Sequence, residues 1–434
     1  MNNSRILLAQ SKLPRSVLMV SDNFWVGGRE TFLRDIVDLM REIGVDNISL
    51  MAKQVDSSIA DNIFDTVAIT GNNDNLNSWR TFGDTVVKEI SPQLIWAHHY
   101  SIGPALLLAK MHKLPLHITL HGPLMSAGQY NYNDALAFSV ATSSGATVSA
   151  VSQEIMQELD EYNNQINFWG IFPNKVQCPE TSSKSTKNTT KLIKFSVFSR
   201  QSKLEHLRQS ILLACKFKKQ GHPIRIDIYT GITEKQGIAN KGLSKYQQIS
   251  RLFGRKWLMK NTCLINILRH TYIHPLTNNV TEAIQKSDVV LGMGRVALEA
   301  IANSKTAILI GYHHSIGVID INNFKQYQTT NFSGRAQLSE SPRKIIKDTL
   351  EGLNNSPYKF KKLAALVDIK SNKSSLTSLL INASNTPAIG MENEKIYQLL
   401  TDDIDTLNAN NLSDLLSDNE NILFNALTNL KKPV

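Results

Sequence analysis

The chain has 434 residues, of which 42% are apolar and 19% charged, and a net charge of +10. That length carries two or three domains with their own cores, and the composition excludes a disordered, collagen-like or disulfide-stapled class. Cys178, Cys215 and Cys263 are far apart in the chain, with neither metal spacing nor a disulfide framework, which fits a reducing compartment. No apolar run approaches the ~20 residues of a membrane helix and no signal-peptide core is visible, so a cytoplasmic location is expected.

Taken in order, residues 17–21, VLMVS, predict a buried strand. A loop with Gly27 and Gly28 near its end follows. From Glu30 an amphipathic helix runs through Phe32, Leu33, Ile36, Val37 and Met40 and stops near Gly44. Strand, Gly-Gly loop and helix let a backbone come close to a phosphate. Residues 48–52 and 66–69 predict strands, 79–90 a helix, and 94–97 a strand ending at His98 and His99. A helix over 103–112 leads to a strand over 116–120 that ends at His121 and Gly122. A strand over 146–151 and a helix over 153–160 started by Ser152 complete the series, which Phe172, Pro173 and Asn174 close. Alternating strands and helices predict a parallel sheet covered on both faces, a Rossmann-like domain. Gly27-Gly28, His98-His99 and His121-Gly122 all fall at C-terminal strand ends, the edge where such sheets bind ligands.

Residues 178–190 are polar and read as a linker. A second αβ series follows, with strands over 193–198, 224–229 and 271–274 and helices over 207–219 and 279–287. Residues 232–259 read as a basic, partly helical insertion. Charge is uneven. Residues 1–175 carry 12 Lys and Arg against 17 Asp and Glu, whereas residues 176–275 carry 19 against 4. The block peaks at residues 251–260, RLFGRKWLMK. A solvated basic face, a seat for an anionic substrate or lipid surface, and a nucleic-acid patch all fit it, although no nucleic-acid motif accompanies it.

The series culminates in residues 288–310, DVVLGMGRVALEAIANSKTAILI. A short apolar run, then Gly292 and Gly294, then a helix with Val296, Ala297, Ala300 and Ile301 on one face, then a second apolar run, predict a strand–turn–helix–strand unit. The helix N-terminus offers free N–H groups and a favourable dipole to a phosphate or diphosphate. Glu299 lies one turn into that helix, within reach of a ribose or sugar hydroxyl. The plainer reading is a βαβ unit whose glycines only make a tight turn.

These motifs together resemble the GT-B glycosyltransferases, specifically the retaining enzymes of family 4. The resemblance rests on Gly27-Gly28 with the ETFLRDIVDLM helix, HITLHG at 117–122, ATVSAVSQEI at 146–155, FPN at 172–174, FSR at 198–200 and GMGRVALEAIA at 292–302. It implies two tandem Rossmann-like domains with an interdomain cleft: an acceptor-side domain over 1–177, the linker over 178–190 and a nucleotide-sugar domain over 191–336. A helical C-terminal region over 337–434 would follow. It implies no metal and no cofactor beyond the donor, taken as a UDP-linked sugar. By the same resemblance Arg200 holds the diphosphate, Glu299 the nucleotide ribose, and His121 lies near the transferred sugar. Gly27, Gly28, Gly294 and Arg295 supply N–H groups and charge from either side, with Gly292 in the same turn. Two positions depart from the family pattern. Leu291 stands where the first of two glutamates is expected, and Glu205 stands where a lysine is expected. Lys203 or Arg295 would then substitute for that lysine, and Lys203 reads equally well as a surface lysine.

In the C-terminal region, residues 341–353 and 358–367 predict helices, one of which would cross back to the first domain as in GT-B proteins. Residues 382–434 are rich in Asn, Asp and Leu, with helical periodicity over 396–407 and 412–430. The expected activity is retaining hexosyl transfer from a nucleotide diphosphate sugar to a glycan or lipid-linked acceptor in surface-polysaccharide assembly, with peripheral contact to an anionic inner membrane face and no nucleic-acid partner. The alternatives are a nucleotide-sugar-binding protein with impaired catalysis, favoured by Leu291 and Glu205, and a sugar-nucleotide 2-epimerase on the same fold.

Overall fold

A computed structural model describes residues 13–25, 27–56, 60, 62–71, 76–98, 101–123, 132–162, 166–179, 192–199, 204–230, 253–254, 267, 269–275, 277, 279–335, 339–354 and 357–389. The chain forms two compact units, Met1–Pro173 with Asn372–Val434, and Asn174–Ser371. Arg200, Lys203, His99 and the 396–407 and 412–430 segments lie outside the described residues, as does the 251–260 block apart from Phe253 and Gly254.

The first unit runs β1 (Ser16–Phe24), α1 (Gly28–Ile43), β2 (Asn47–Val55), β3 (Thr66–Ile69), α2 (Leu76–Ile90), β4 (Leu94–His98), α3 (Ile102–His112), β5 (Leu116–Leu120), α4 (Tyr132–Ser143), β6 (Thr147–Ala150), α5 (Gln153–Tyr162) and β7 (Asn167–Ile171). Its sheet has the order β3-β2-β1-β4-β5-β6-β7, and every pairing is parallel. Central strands of such a sheet are covered on both faces, which is why β4 and β5 are buried at every residue. Strand alternation divides β5. Leu116, Ile118 and Leu120 join the apolar core with residues of α2, α3 and α4, whereas His117 and Thr119 take the opposite face. Helix α1 buries Phe32, Leu33, Ile36, Val37 and Met40 and stops at Gly44, whose φ of +99° suits only glycine well. Strand order reverses between β1 and β4, so their following loops part and leave a crevice at the C-terminal edge.

The second unit runs β8 (Ile193–Ser199), α6 (Leu204–Lys219), β9 (Ile224–Thr230), β10 (Thr271–Pro275), α7 (Val280–Gln285), β11 (Val289–Gly292), α8 (Arg295–Ala302), β12 (Thr306–Ile310), β13 (Ser315–Val318), α9 (Phe324–Gln328), α10 (Pro342–Leu353) and α11 (Pro357–Val367). The sheet order is β10-β9-β8-β11-β12-β13, with β13 alone antiparallel among the described strands. Its reversal falls between β8 and β11. One core packs Phe195, Val197, Ile226, Ile228 and Leu291 with α6 and α10. The other packs Val290, Ala307 and Leu309 with α8 and α11.

After α11 the chain returns to the first unit as α12 (Lys373–Asn385), which buries Leu376, Leu379, Leu380 and Ala383, spaced so as to form one helical stripe, and packs against α1 and β5. The returning helix is thus α12 and neither of the two predicted at 341–353 and 358–367. Those correspond to α10 and α11, which pack within the second unit on β12 and β13 and on α8. The division also falls between Pro173 and Asn174 rather than after residue 177, because Val176 is tied into the second unit. Its N–H donates to the Val367 carbonyl and its carbonyl accepts from Ile369 N–H, both at 2.9 Å. No described helix is long and apolar enough to cross a membrane.

Candidate functional site

In the second unit the β11–α8 turn is built by two glycines with different jobs. Gly294 caps α8 at φ +56° and ψ −130°, a conformation that a side chain strains, and its N–H donates to the Phe332 carbonyl at 2.8 Å. Gly292 provides room: a Cβ there would stand 2.6 Å from Val296 Cγ1. The turn that supplies this accepting carbonyl is itself wound left-handed at Asn331 and Phe332, with φ of +52° and +53°. Asn174 braces it, donating from Nδ2 to Asn331 Oδ1 at 3.0 Å. No described side chain caps α8 and its first turn carries no acid, so its dipole favours negative charge at that end.

Glu299 lies one turn in, partly exposed. Its Oε1 accepts from Arg295 Nε at 3.0 Å, and Arg295 Nη1 donates to the Lys175 carbonyl, also at 3.0 Å. Arg295 is only 7% exposed. Its guanidinium therefore clasps Glu299 to the segment at Lys175. Leu291 is fully buried in β11, in the core with α6 residues, so no carboxylate could stand at this position without losing solvation. Glu205 opens α6 and binds Arg208 and Gln209 on its own helix.

In the first unit the C-terminal edge of β1, β4 and β5 gathers charge and imidazole. Gly27 caps α1 in extended conformation with no side-chain cap, and Gly28 opens the helix. Arg29 follows. It meets Asp22 at 2.7 Å, Glu30 at 2.8 Å and the Asn23 carbonyl at 2.8 Å, which pins the β1–α1 loop. Glu30 is nearly buried. The acids of this cluster compete with any anion for the α1 N-terminus.

His121 follows β5, lies edge-on to Phe32 and has Nε2 at 3.2 Å from His98 Nδ1. Burial first, then the positive charge of Arg29, holds the His98 imidazole well below the usual histidine range. Behind it runs a buried chain on one sheet face. Trp96 Nε1 donates to Thr119 Oγ1, Thr119 meets Ser149, and His117 bridges Ser149 and Thr147. Burial lowers the His117 pKa to about 3. The structure thus brings His98 and His121 together, as adjacent strand ends predict, and brings Glu299, Arg295, Gly292 and Gly294 together in one turn. Sequence reading missed Asp22, Arg29 and Glu30. The charged residues at the two ends of DNFWVGGRE were a visible signal for them, whereas their mutual contact was not.

No protein-family model and no curated protein matches the sequence. Solved structures share the fold. The Anabaena protein Alr3699/HepE in complex with UDP aligns over 90% of this chain and 100% of its own at 12% identity, with a TM-score of 0.54. Sucrose-phosphate synthase from Thermosynechococcus elongatus aligns over 84% and 98% at 10% identity, with a TM-score of 0.56. A glycosyltransferase from Rickettsia africae aligns over 89% and 99% at 14% identity, with a TM-score of 0.51. The fold is GT-B, two Rossmann-like units in series.

Proposed function

We propose that the chain is a glycosyltransferase that takes a sugar from a nucleotide diphosphate donor. The observation that carries this reading is the uncapped α8 N-terminus with Glu299 clasped one turn away, in a chain that shares its fold with a protein crystallised with UDP. The diphosphate leaving group gains negative charge as the glycosidic bond breaks, and fixed N–H dipoles and cations stabilise that charge best. In this reading the α8 N–H groups and Arg200 meet the diphosphate, with Lys203 as a further cation. Glu299 accepts from ribose hydroxyls, and His121 serves the transferred sugar. The configuration is retained, with the leaving phosphate taking the acceptor proton, and no metal takes part. The acceptor is a glycan or lipid-linked sugar of surface-polysaccharide assembly, with the basic block on an anionic membrane face. Absence of binding to anionic liposomes at low salt would remove the membrane contact.

The test is a thermal-shift screen against UDP, GDP, ADP and CMP and their sugar conjugates, with Glu299→Ala and Arg200→Ala beside the wild type. A ligand at ~100 times its dissociation constant stabilises by roughly 2.7 kcal/mol. A shift with one diphosphate, lost in both variants, supports the reading. No shift with any nucleotide overturns it.

A further inference from the structure

His98 ends β4 and is fully buried, its ring stacked on Trp96 at a centroid distance of 5.2 Å. Its backbone N–H donates to Ser101 Oγ at 3.2 Å, and Ser101 Oγ donates to the Val20 carbonyl at 2.6 Å, so main chain and ring are both held. Nδ1 faces His121 Nε2, and His98 Nε2 is buried without a hydrogen-bond partner among the described residues. Arg29 and His117 are the ionisable groups whose charge bears on His98, and both act against a second positive charge there. A neutral imidazole carries one N–H. Placed on Nε2, that N–H would be a buried donor with nothing to accept it, which is the costlier way to leave a polar atom unpaired. Placed on Nδ1, it donates to His121 Nε2. That nitrogen must then present its lone pair, and the ring proton of His121 moves to Nδ1.

We infer that His98 is a positioning residue that fixes His121, the partly exposed histidine after β5, as the Nδ1–H tautomer, with its ring proton on the nitrogen away from His98. The use of that N–H toward an oxygen of the transferred sugar rests on the transferase reading, whereas the tautomer does not. Protonating His121 at Nε2 would force the His98 proton onto its orphan nitrogen, so the pair resists becoming an imidazolium.

The experiment is long-range ¹H–¹⁵N spectroscopy of the full chain labelled at its 11 histidines, with His121→Gln and His98→Gln assigning the two rings by loss of signal. The expected spectrum shows a protonated Nδ1 and an unprotonated Nε2 at His121, converting to a mixture in His98→Leu and returning in His98→Asn, whose amide N–H stands in for Nδ1–H. A protonated Nε2 at His121 in the wild type overturns the inference, and that spectrum decides it even where His98→Leu does not fold. With a donor identified, His98→Leu should lose about tenfold in kcat, the effect of one hydrogen bond, with the donor KM held within about twofold. His98→Asn should recover most of the loss. The expected tautomer in a protein that turns over no nucleotide sugar sinks the transferase reading alone. Turnover with His121 protonated at Nε2 sinks the inference alone.

Discussion

Replacing Gly292 by alanine should destabilise the second unit through one contact. The new Cβ would stand 2.6 Å from Val296 Cγ1 and 3.1 Å from Val296 Cβ, while the nearest backbone atom, Ala297 N, is at 3.7 Å. Val296 must therefore give way. It is β-branched and helical, with essentially one favoured χ1, so it cannot rotate aside cheaply. Overpacking of this kind costs about 2 kcal/mol. The unit spans Asn174 to Ser371, 198 residues. At that size ~2 kcal/mol lowers the melting temperature by about 4–8 °C. Scanning calorimetry of Gly292→Ala, Val296→Ala and the double variant reads this directly. The double variant should lose less than the two single losses summed, by a coupling of about 1–2 kcal/mol. Gly294→Ala supplies the contrast. Its Cβ meets nothing nearer than the Asn331 carbonyl at 3.9 Å, so its cost of about 1–3 kcal/mol is conformational and Val296→Ala should not relieve it. A Gly292→Ala protein that melts with the wild type, or a strictly additive double variant, refutes the packing account.

Removing the guanidinium in Arg29→Met leaves the nearly buried Glu30 and Asp22 without the cation between them, and should cost about 3 kcal/mol by denaturant titration, with Glu30→Gln recovering part. Stability should fall on acidification. Burial depresses the folded-state pKa of His98 and His117, so the unfolded chain binds their protons first as pH drops below about 6.5, and stability complete above that pH is lost as pH falls, for His117 down to about pH 3. The slope is about 1.4 kcal/mol per pH unit for each histidine, and His117→Asn should remove about half of it in pH-stepped unfolding; an unchanged slope would count against the burial argument. Arg295→Lys keeps the charge but not the fork that reaches both Glu299 and the Lys175 carbonyl, and should weaken nucleotide binding about tenfold by calorimetry while anion binding unrelated to ribose stays level.

Strands fully buried on both faces announced themselves as apolar runs, as 116–120 does, and the mostly exposed edge strand over 66–69 also stands where the sequence puts it. What it hid was of three kinds. Strand β7, NFWGI, is an edge strand with partly exposed residues and an internal glycine, so neither an apolar run nor a clean alternation marks it. Strand β13 is antiparallel and only four residues long, beyond the reach of periodicity. Helix α12, KSSLTSLLINASN, is polar enough to pass for a tail, yet its buried Leu376, Leu379, Leu380 and Ala383 have full helical spacing, so that signal was present and unread. For the sites, strand ends and glycine turns were legible because they follow from local geometry. The clasp from Arg295 to both Glu299 and Lys175 was not, because it joins residues 120 positions apart.

The first unit is interrupted in sequence between Pro173 and Asn372. At roughly 5–20 residues per second, a ribosome needs about 10–40 s to cross the intervening span. Throughout that interval the nascent first sheet exists without α12, so the flank of β5 that α12 packs against stands open. The inserted unit, contiguous in sequence, has everything it needs to finish first. The N-terminal half is thus made first but completed last, because its final packing step cannot precede synthesis of α12.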